Sequence, residues 1–198
     1  MLQQLLNHNF DRRAFLRGTS TATLSAGAML LLAGNPAAAA SVAKGAAEPH
    51  AGDIGILNVA LGLEHQGINA YTLGATSGLL QKPVLDIALK FKDDHKIHRD
   101  LLAKAITQLG GTPVNEKPLE VYAKALNAAS LKSQEDILRL ALSLELGASN
   151  AYLSVLPSFK DSSLSKVAGQ IMADEVAHWA ILNNALGQAL PKAMYFGG

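Results

Sequence analysis

Residues 57–71 read LNVALGLEHQGINAY, and residues 138–152 read LRLALSLELGASNAY. Leu57, Ala60, Leu61, Leu63, Glu64, Asn69, Ala70 and Tyr71 recur 81 positions later as Leu138, Ala141, Leu142, Leu144, Glu145, Asn150, Ala151 and Tyr152. A second pair of segments recurs at an offset of 80: Asp94-His95-x-x-His98 aligns with Asp174-Glu175-x-x-His178. Self-similarity at a fixed period marks a duplicated structural unit. Here the unit is a pair of helices, so the spacing predicts a duplicated helical hairpin.

The flanking punctuation supports four long helices. Asp53 is the expected N-cap of the first, which runs to about Leu80, where Lys82-Pro83 breaks it. The second runs from Val84 to Leu109, with Pro83 in its first turn and Gly110-Gly111 at its end. Ser133, with Asp136 three residues later, resembles a capping box and opens the third, which Pro157 stops near Leu156. Asp161 or Ser162 opens the fourth, expected to end near Leu190-Pro191. Between the second and third lies a long connection containing a short helical piece, Leu119 to Ala128. A helix of ~26 residues is ~39 Å long at 1.5 Å per residue. The connection can therefore run back along the bundle, and it is expected to start the third helix beside the start of the first.

The chain has 198 residues, 49% hydrophobic and 17% charged, which is a globular composition. Aromatic content of 5% argues against a sandwich of many short strands. A formal net charge of +1 excludes a strongly basic nucleic-acid binder. The absence of Cys excludes disulfides, thiolate zinc sites and Cys-ligated iron–sulfur clusters.

Residues 1–40 have the plan of an export signal. A polar start holds Asp11-Arg12-Arg13-Ala14-Phe15-Leu16-Arg17, a short apolar run spans about Ala22 to Ala33, and small residues lead to Ala40. The Arg pair with Ala-Phe-Leu-Arg resembles the twin-arginine signal, with Asp11 in place of the usual Ser or Thr. Cleavage near Ala40 implies a periplasmic product delivered by the export machinery. The remainder carries 14 basic and 15 acidic residues, a net of −1. The expected division is 1–40 signal, 41–52 linker, 53–190 helical domain and 191–198 tail.

The first and third helices are apolar almost all round. A carboxylate at the centre of a membrane span costs ~3 kcal/mol, so Glu64 and Glu145 argue against spanning and for burial in a bundle. Ala60, Gly67 and Gly74 recur every seven residues. Glycine costs ~1 kcal/mol in a helix interior, and close approach of another helix, in the bundle or across a homodimer interface, is the expected compensation.

Leu57, Leu61, Glu64, Ile68 and Tyr71 share one face of the first helix, and Leu138, Leu142, Glu145, Ser149 and Tyr152 share the matching face of the third. Each helix thus sets one carboxylate in an apolar stripe, where it must be protonated, paired or bound to a cation. On the fourth helix, Glu175 and His178 are neighbours at i and i+3, and both can meet one metal. His95 and His98 occupy the same turn of the second. His65 points about 100° from Glu64 and falls outside the cluster. Tyr71 and Tyr152 fit packing or hydrogen bonding to the ligands, and Trp179 fits core or interface.

Together these residues resemble the ferritin-like superfamily, and in particular its twin-arginine-exported bacterial members. That family's di-metal pattern is Glu, Glu-x-x-His, Glu, Glu-x-x-His on four successive helices. The resemblance implies an all-α, ferritin-like four-helix bundle with one long crossover between helices 2 and 3. It also implies a metal centre built from Glu64, His95, His98, Glu145, Glu175 and His178. His95 departs from the pattern, because the family has a bridging Glu there and an imidazole does not bridge in the same way. Asp94 stays open as a replacement ligand through its i, i+4 relation to His98.

Three carboxylates and three imidazoles suit Fe, Mn, Zn or Cu better than Ca. The resemblance favours two ions of Fe or Mn, while the extra imidazole tilts toward Zn or Cu. Three functions follow as expectations. One is redox chemistry at a dinuclear centre, oxidising iron or reducing oxygen or peroxide. The second is non-catalytic metal binding in storage or stress protection. The third is a metal-free structural bundle in which His95 packs on Glu175 and His98 on Glu64.

Overall fold

A computed structural model describes residues 50–197. The expected export signal and nearly all of the expected linker lie outside the described residues. Within them the order is α1 (Ala51–Thr76), α2 (Lys82–Gln108), a short α3 (Leu119–Ala125), α4 (Gln134–Val155) and α5 (Ser162–Ala185), with single 3-10 turns at Ala128–Ser130 and Leu156–Ser158. No strand occurs among the described residues, and no helix there is long and apolar enough to cross a membrane.

Local chemistry accounts for most of the boundaries. Pro83 sits in the first turn of α2, where its missing N–H costs nothing. The Ser133 hydroxyl accepts from the Asp136 N–H, and the Asp161 carboxylate accepts from the Ser163 N–H, each satisfying a donor that a helix start leaves free. Three ends differ from expectation. α1 stops at Thr76 instead of Leu80, because Ser77 turns back onto the Gly74 carbonyl and Gly78 takes a positive φ of 73°. α3 stops at Ala125, because Asn127 adopts the left-handed conformation. α5 stops at Ala185 instead of Leu190, because Gly187 adopts φ 64°.

Asp53 does not cap α1. The helix begins at Ala51, inside the expected linker, with His50 at its N-cap. Asp53 is 1% exposed and accepts from the backbone N–H groups of Lys160 (3.0 Å) and Asp161 (3.4 Å). It therefore ties the α4–α5 connection to the foot of α1.

α1 pairs with α2, and α4 with α5, as two hairpins. The crossover from α2 to α4 is fastened along α1. Asn58 bonds the backbone of Thr112 and Val114, His65 donates from Nε2 to the Val114 carbonyl, and Asn69 donates to Glu116. These contacts climb α1 from its start toward its end. α4 consequently begins beside the end of α1, where Gln134 accepts from the Gln81 N–H and Ile137 packs on Gly74. This corrects the expected position beside the start of α1. Because α2 already ends at the foot of α1, a connection as long as the bundle must deliver the next helix to the opposite end.

The core forms two apolar clusters. Around Leu57, Leu61, Leu102, Ile106 and Ile171 it fills one end of the bundle, and around Ala88, Phe91, Leu138, Ala141 and Leu182 the other. The last residues fold back rather than trailing free: Trp179 packs against Tyr195 and Phe196, and the Gly197 N–H donates to Asn150.

Candidate metal centre

Between the two apolar clusters lies a polar layer. All six residues singled out from the sequence meet in it: Glu64 from α1, His95 and His98 from α2, Glu145 from α4, Glu175 and His178 from α5. The three carboxylates are at most 1% exposed and the three imidazoles at most 4%.

The ligand atoms fall into two overlapping groups. Glu64, His95, His98 and Glu175 bring one atom each within 4.8 Å of one another, and so do His95, Glu145, Glu175 and His178. In the first group His95 Nδ1 is 2.8 Å from Glu64 Oε2, and His98 Nδ1 is 3.1 Å from Glu175 Oε1. In the second His95 Nε2 is 3.4 Å from Glu145 Oε1, and His178 Nδ1 is 3.7 Å from Glu145 Oε2 and 3.9 Å from Glu175 Oε2. The closest contacts of His95 and His98 are thus to Glu64 and Glu175 respectively, the reverse of the pairing expected for a metal-free network.

The surrounding hydrogen bonds obey the internal duplication. Tyr71 on α1 donates to Glu145 on α4, while Tyr152 on α4 donates to Glu64 Oε1 on α1 at 2.5 Å. The antiparallel α1–α4 pair places each tyrosine, two turns from its own glutamate, against the other helix's glutamate. Asp94 and Asp174 are related in the same way. His178 Nε2 lies 3.3 Å from Asp94 Oδ2, and His98 Nε2 lies 3.2 Å from Asp174 Oδ2. Each outer carboxylate occupies the outward nitrogen of a histidine and turns Nδ1 to the centre. Asp94, which also pairs with Lys90 on its solvent side, lies beside His178 Nε2 and falls outside both ligand groups. Phe91 stacks on the His178 ring at 4.0 Å between centroids, fixing its plane.

Charge is distributed unevenly. Burial opposes ionisation of Glu64, but hydrogen bonds and charge from His95 and His98 outweigh it and lower its carboxyl from 4.5 to about 2. Glu145 is held well below its usual value against the same burial, by contacts with Glu175, His95 and His178. Glu175 is pushed well above its usual value, first by burial and then by the negative charge of Glu145. His95 and His98 are raised despite burial, His95 by Glu175 and Glu145, His98 by Glu64 and Asp174. Without a metal, protons hold the layer together.

They do not satisfy it completely. Glu145 Oε2, Glu175 Oε2 and His178 Nδ1 are buried with no hydrogen-bond partner, and so is Ser149 Oγ, one turn beyond Glu145. Three good ligand atoms of one group are thus buried without a protein donor, and an unmet buried polar atom costs ~1–3 kcal/mol. A cation answers all three at once, so the residues fit a metal.

Sequence reasoning missed the role of Asp174 and the unpartnered Ser149 hydroxyl. The signal for Asp174 was the Asp that precedes each motif at the same offset; for Ser149 it was a hydroxyl standing where the first repeat has Ile68. The profile of a ferritin-like domain matches residues 52–188. Among solved structures, a conserved hypothetical protein from Mycobacterium tuberculosis superposes with a TM-score of 0.56 at 20% identity, over 71% of this chain and 94% of that one. That likeness is one of fold. No curated protein matches the chain.

Proposed function

This chain belongs to the ferritin-like domain family, and from that premise we propose that it is an exported metalloprotein holding two divalent ions, Fe or Mn, between Glu64, His95, His98, Glu145, Glu175 and His178. Its function is redox: oxidation of iron, or reduction of oxygen or peroxide, in the periplasm. The observation that carries this reading is the trio of buried, unpartnered ligand atoms on Glu145, Glu175 and His178. Bound Fe or Mn supplies one-electron chemistry that no side chain in the layer can.

The protein's own part is positioning and exclusion. Tyr71 and Tyr152 fix the carboxylates, Asp94 and Asp174 aim the imidazoles, and the apolar clusters keep bulk water from both ends. A cavity of about 40 Å³ between α1 and α4 reaches His95 and Glu145, lined by Leu63, Gly67, Ala141, Leu144 and Ala148. Its largely apolar walls suit a small uncharged co-reactant such as oxygen. The resemblance of residues 1–40 to a twin-arginine signal supports export, and that route's carriage of folded, cofactor-loaded proteins agrees with a metal bound before export.

The test is oxygen uptake after ferrous ion is added to the purified chain. The reading expects uptake by the wild type and its loss in Glu175→Ala. Stoichiometric metal binding with no uptake supports the second reading, a non-catalytic binder for storage or stress protection. That reading draws on His95, which leaves the centre a single carboxylate shared by both ligand groups.

A further inference from the structure

His95 and Glu175 are equivalent in the duplication, and both belong to both ligand groups. Glu175 does this with its two oxygens: Oε1 lies beside His98 Nδ1 and Oε2 faces His178 Nδ1. His95 does it with its two ring nitrogens. Nδ1 faces Glu64 Oε2, Glu175 Oε1 and the first group, and Nε2 faces Glu145 and the second. No outer carboxylate occupies either nitrogen, whereas His98 and His178 each have one nitrogen turned to Asp174 or Asp94. His95 is thus the one histidine of the three with both nitrogens directed into the centre.

The neighbouring backbone is shaped for this ring. A Cβ at Gly67 would lie 3.0 Å from His95 Cε1, 3.1 Å from Nδ1 and 3.2 Å from Nε2. The three distances are nearly equal, so the imidazole lays its face over the Gly67 backbone and leaves both ring nitrogens free to point into the layer. The equivalent of Gly67 in the second repeat is Ala148, on the helix paired with that of Glu175. The residue without a Cβ thus lies under the His95 ring, and the second repeat carries alanine at the corresponding position. The departure at position 95 is accommodated locally.

We propose that His95 joins the two metal ions through its ring, one nitrogen to each, so that the centre is bridged by an imidazolate and the Glu175 carboxylate. This rests on the metal-centre reading above. The ring N–H proton leaves to solvent as the second ion takes that nitrogen. Each ion is then offered two imidazole nitrogens and two carboxylates: Glu64, His95, His98 and Glu175 for one, and His95, Glu145, Glu175 and His178 for the other. A donor set balanced between nitrogen and oxygen accepts Cu(II) or Zn(II) as well as Fe or Mn.

Cu(II) is therefore a usable probe. Two such ions joined by one imidazolate couple antiferromagnetically, and their paramagnetic resonance signal is lost at low temperature. The experiment loads the full chain with Cu(II) and records bound copper and integrated spin for the wild type, His95→Gln, Glu175→Gln and Gly67→Ala. The expected result is two bound coppers with strongly reduced spin in the wild type. Spin per bound copper should rise in His95→Gln, where only the Glu175 carboxylate is left between the ions, and coupling should persist in Glu175→Gln, where the ring remains. Gly67→Ala keeps every ligand and improves helix propensity, so it should stay folded by circular dichroism and recover spin through displacement of the ring alone. Two coppers at full spin in the wild type, or coupling that survives His95→Gln and vanishes in Glu175→Gln, overturns the bridge while leaving the metal centre standing. A wild type that binds no copper overturns the centre itself, and the bridge with it.

Discussion

Tyr71 and Tyr152 show how much one hydroxyl can decide. Burial, followed by the neighbouring carboxylate charge, raises both phenols well above their usual value, so each remains a donor at neutral pH. Each bond goes to a buried carboxylate on the opposite hairpin. Replacing Tyr152 by Phe leaves Glu64 Oε1 without that donor, and hydrogen bonds to charged groups are worth ~1.5–3 kcal/mol. Urea unfolding of metal-free Tyr152→Phe should show a loss of that order, with Tyr71→Phe behaving alike. The six residues of the polar layer were legible because Glu-x-x-His spacing and the repeat both speak within single helices. The tyrosines' partners were not, since they depend on which helix lies opposite and in which direction it runs. Asp94 was ambiguous for the same reason: its i, i+4 relation to His98 lies within α2, while its observed histidine partner, His178, stands on another helix.

Among the elements, helix starts were easier to read than helix ends. Ser133 and Asp161 cap the helices that their positions suggested. Asp53 has the composition of a cap and serves as one, but for the connection entering α5 rather than for its own helix. Propensity cannot distinguish these uses, because both place a carboxylate near free N–H groups. Asp53→Ala should cost ~1–3 kcal/mol in chemical denaturation, while Asp53→Asn, which keeps an acceptor, should recover part of it. An effect within experimental error would mean that the foot of α1 and the α4–α5 connection are not coupled. The glycine stripe is explained within the bundle at two places, Gly67 under His95 and Gly74 under Ile137. The direction of α4 follows from chain length once α2 is seen to end at the foot of α1.

At the scale of the whole molecule, the polar layer makes stability depend on protons or on metal. Glu64, lowered from 4.5 to about 2, contributes stability that is present above pH 4.5 and is lost as pH falls toward 2. His95 and His98 are raised above 6.5, so their contribution is complete below pH 6.5 and is lost as pH rises through their folded values. Glu175, raised above 4.5, adds to the loss at higher pH because the folded state retains its proton longer. The metal-free protein should therefore be most stable between these limits, and its Tm should fall from about pH 6 to about pH 8. Metal ions compete with the same protons, so the Tm gain on adding metal should grow over that interval. Thermal melts with and without metal at both values test this; a metal-free Tm that rises with pH would contradict it.

The central claim is that the six buried side chains hold two ions. Elemental mass spectrometry of the protein purified from its own host, beside Glu145→Ala and His178→Ala, tests it most directly. The account predicts about two equivalents of Fe or Mn in the wild type, lost in both variants while the helical spectrum is retained. No metal in the wild type, with a melting temperature unmoved by added Fe, Mn, Zn or Cu, would contradict it.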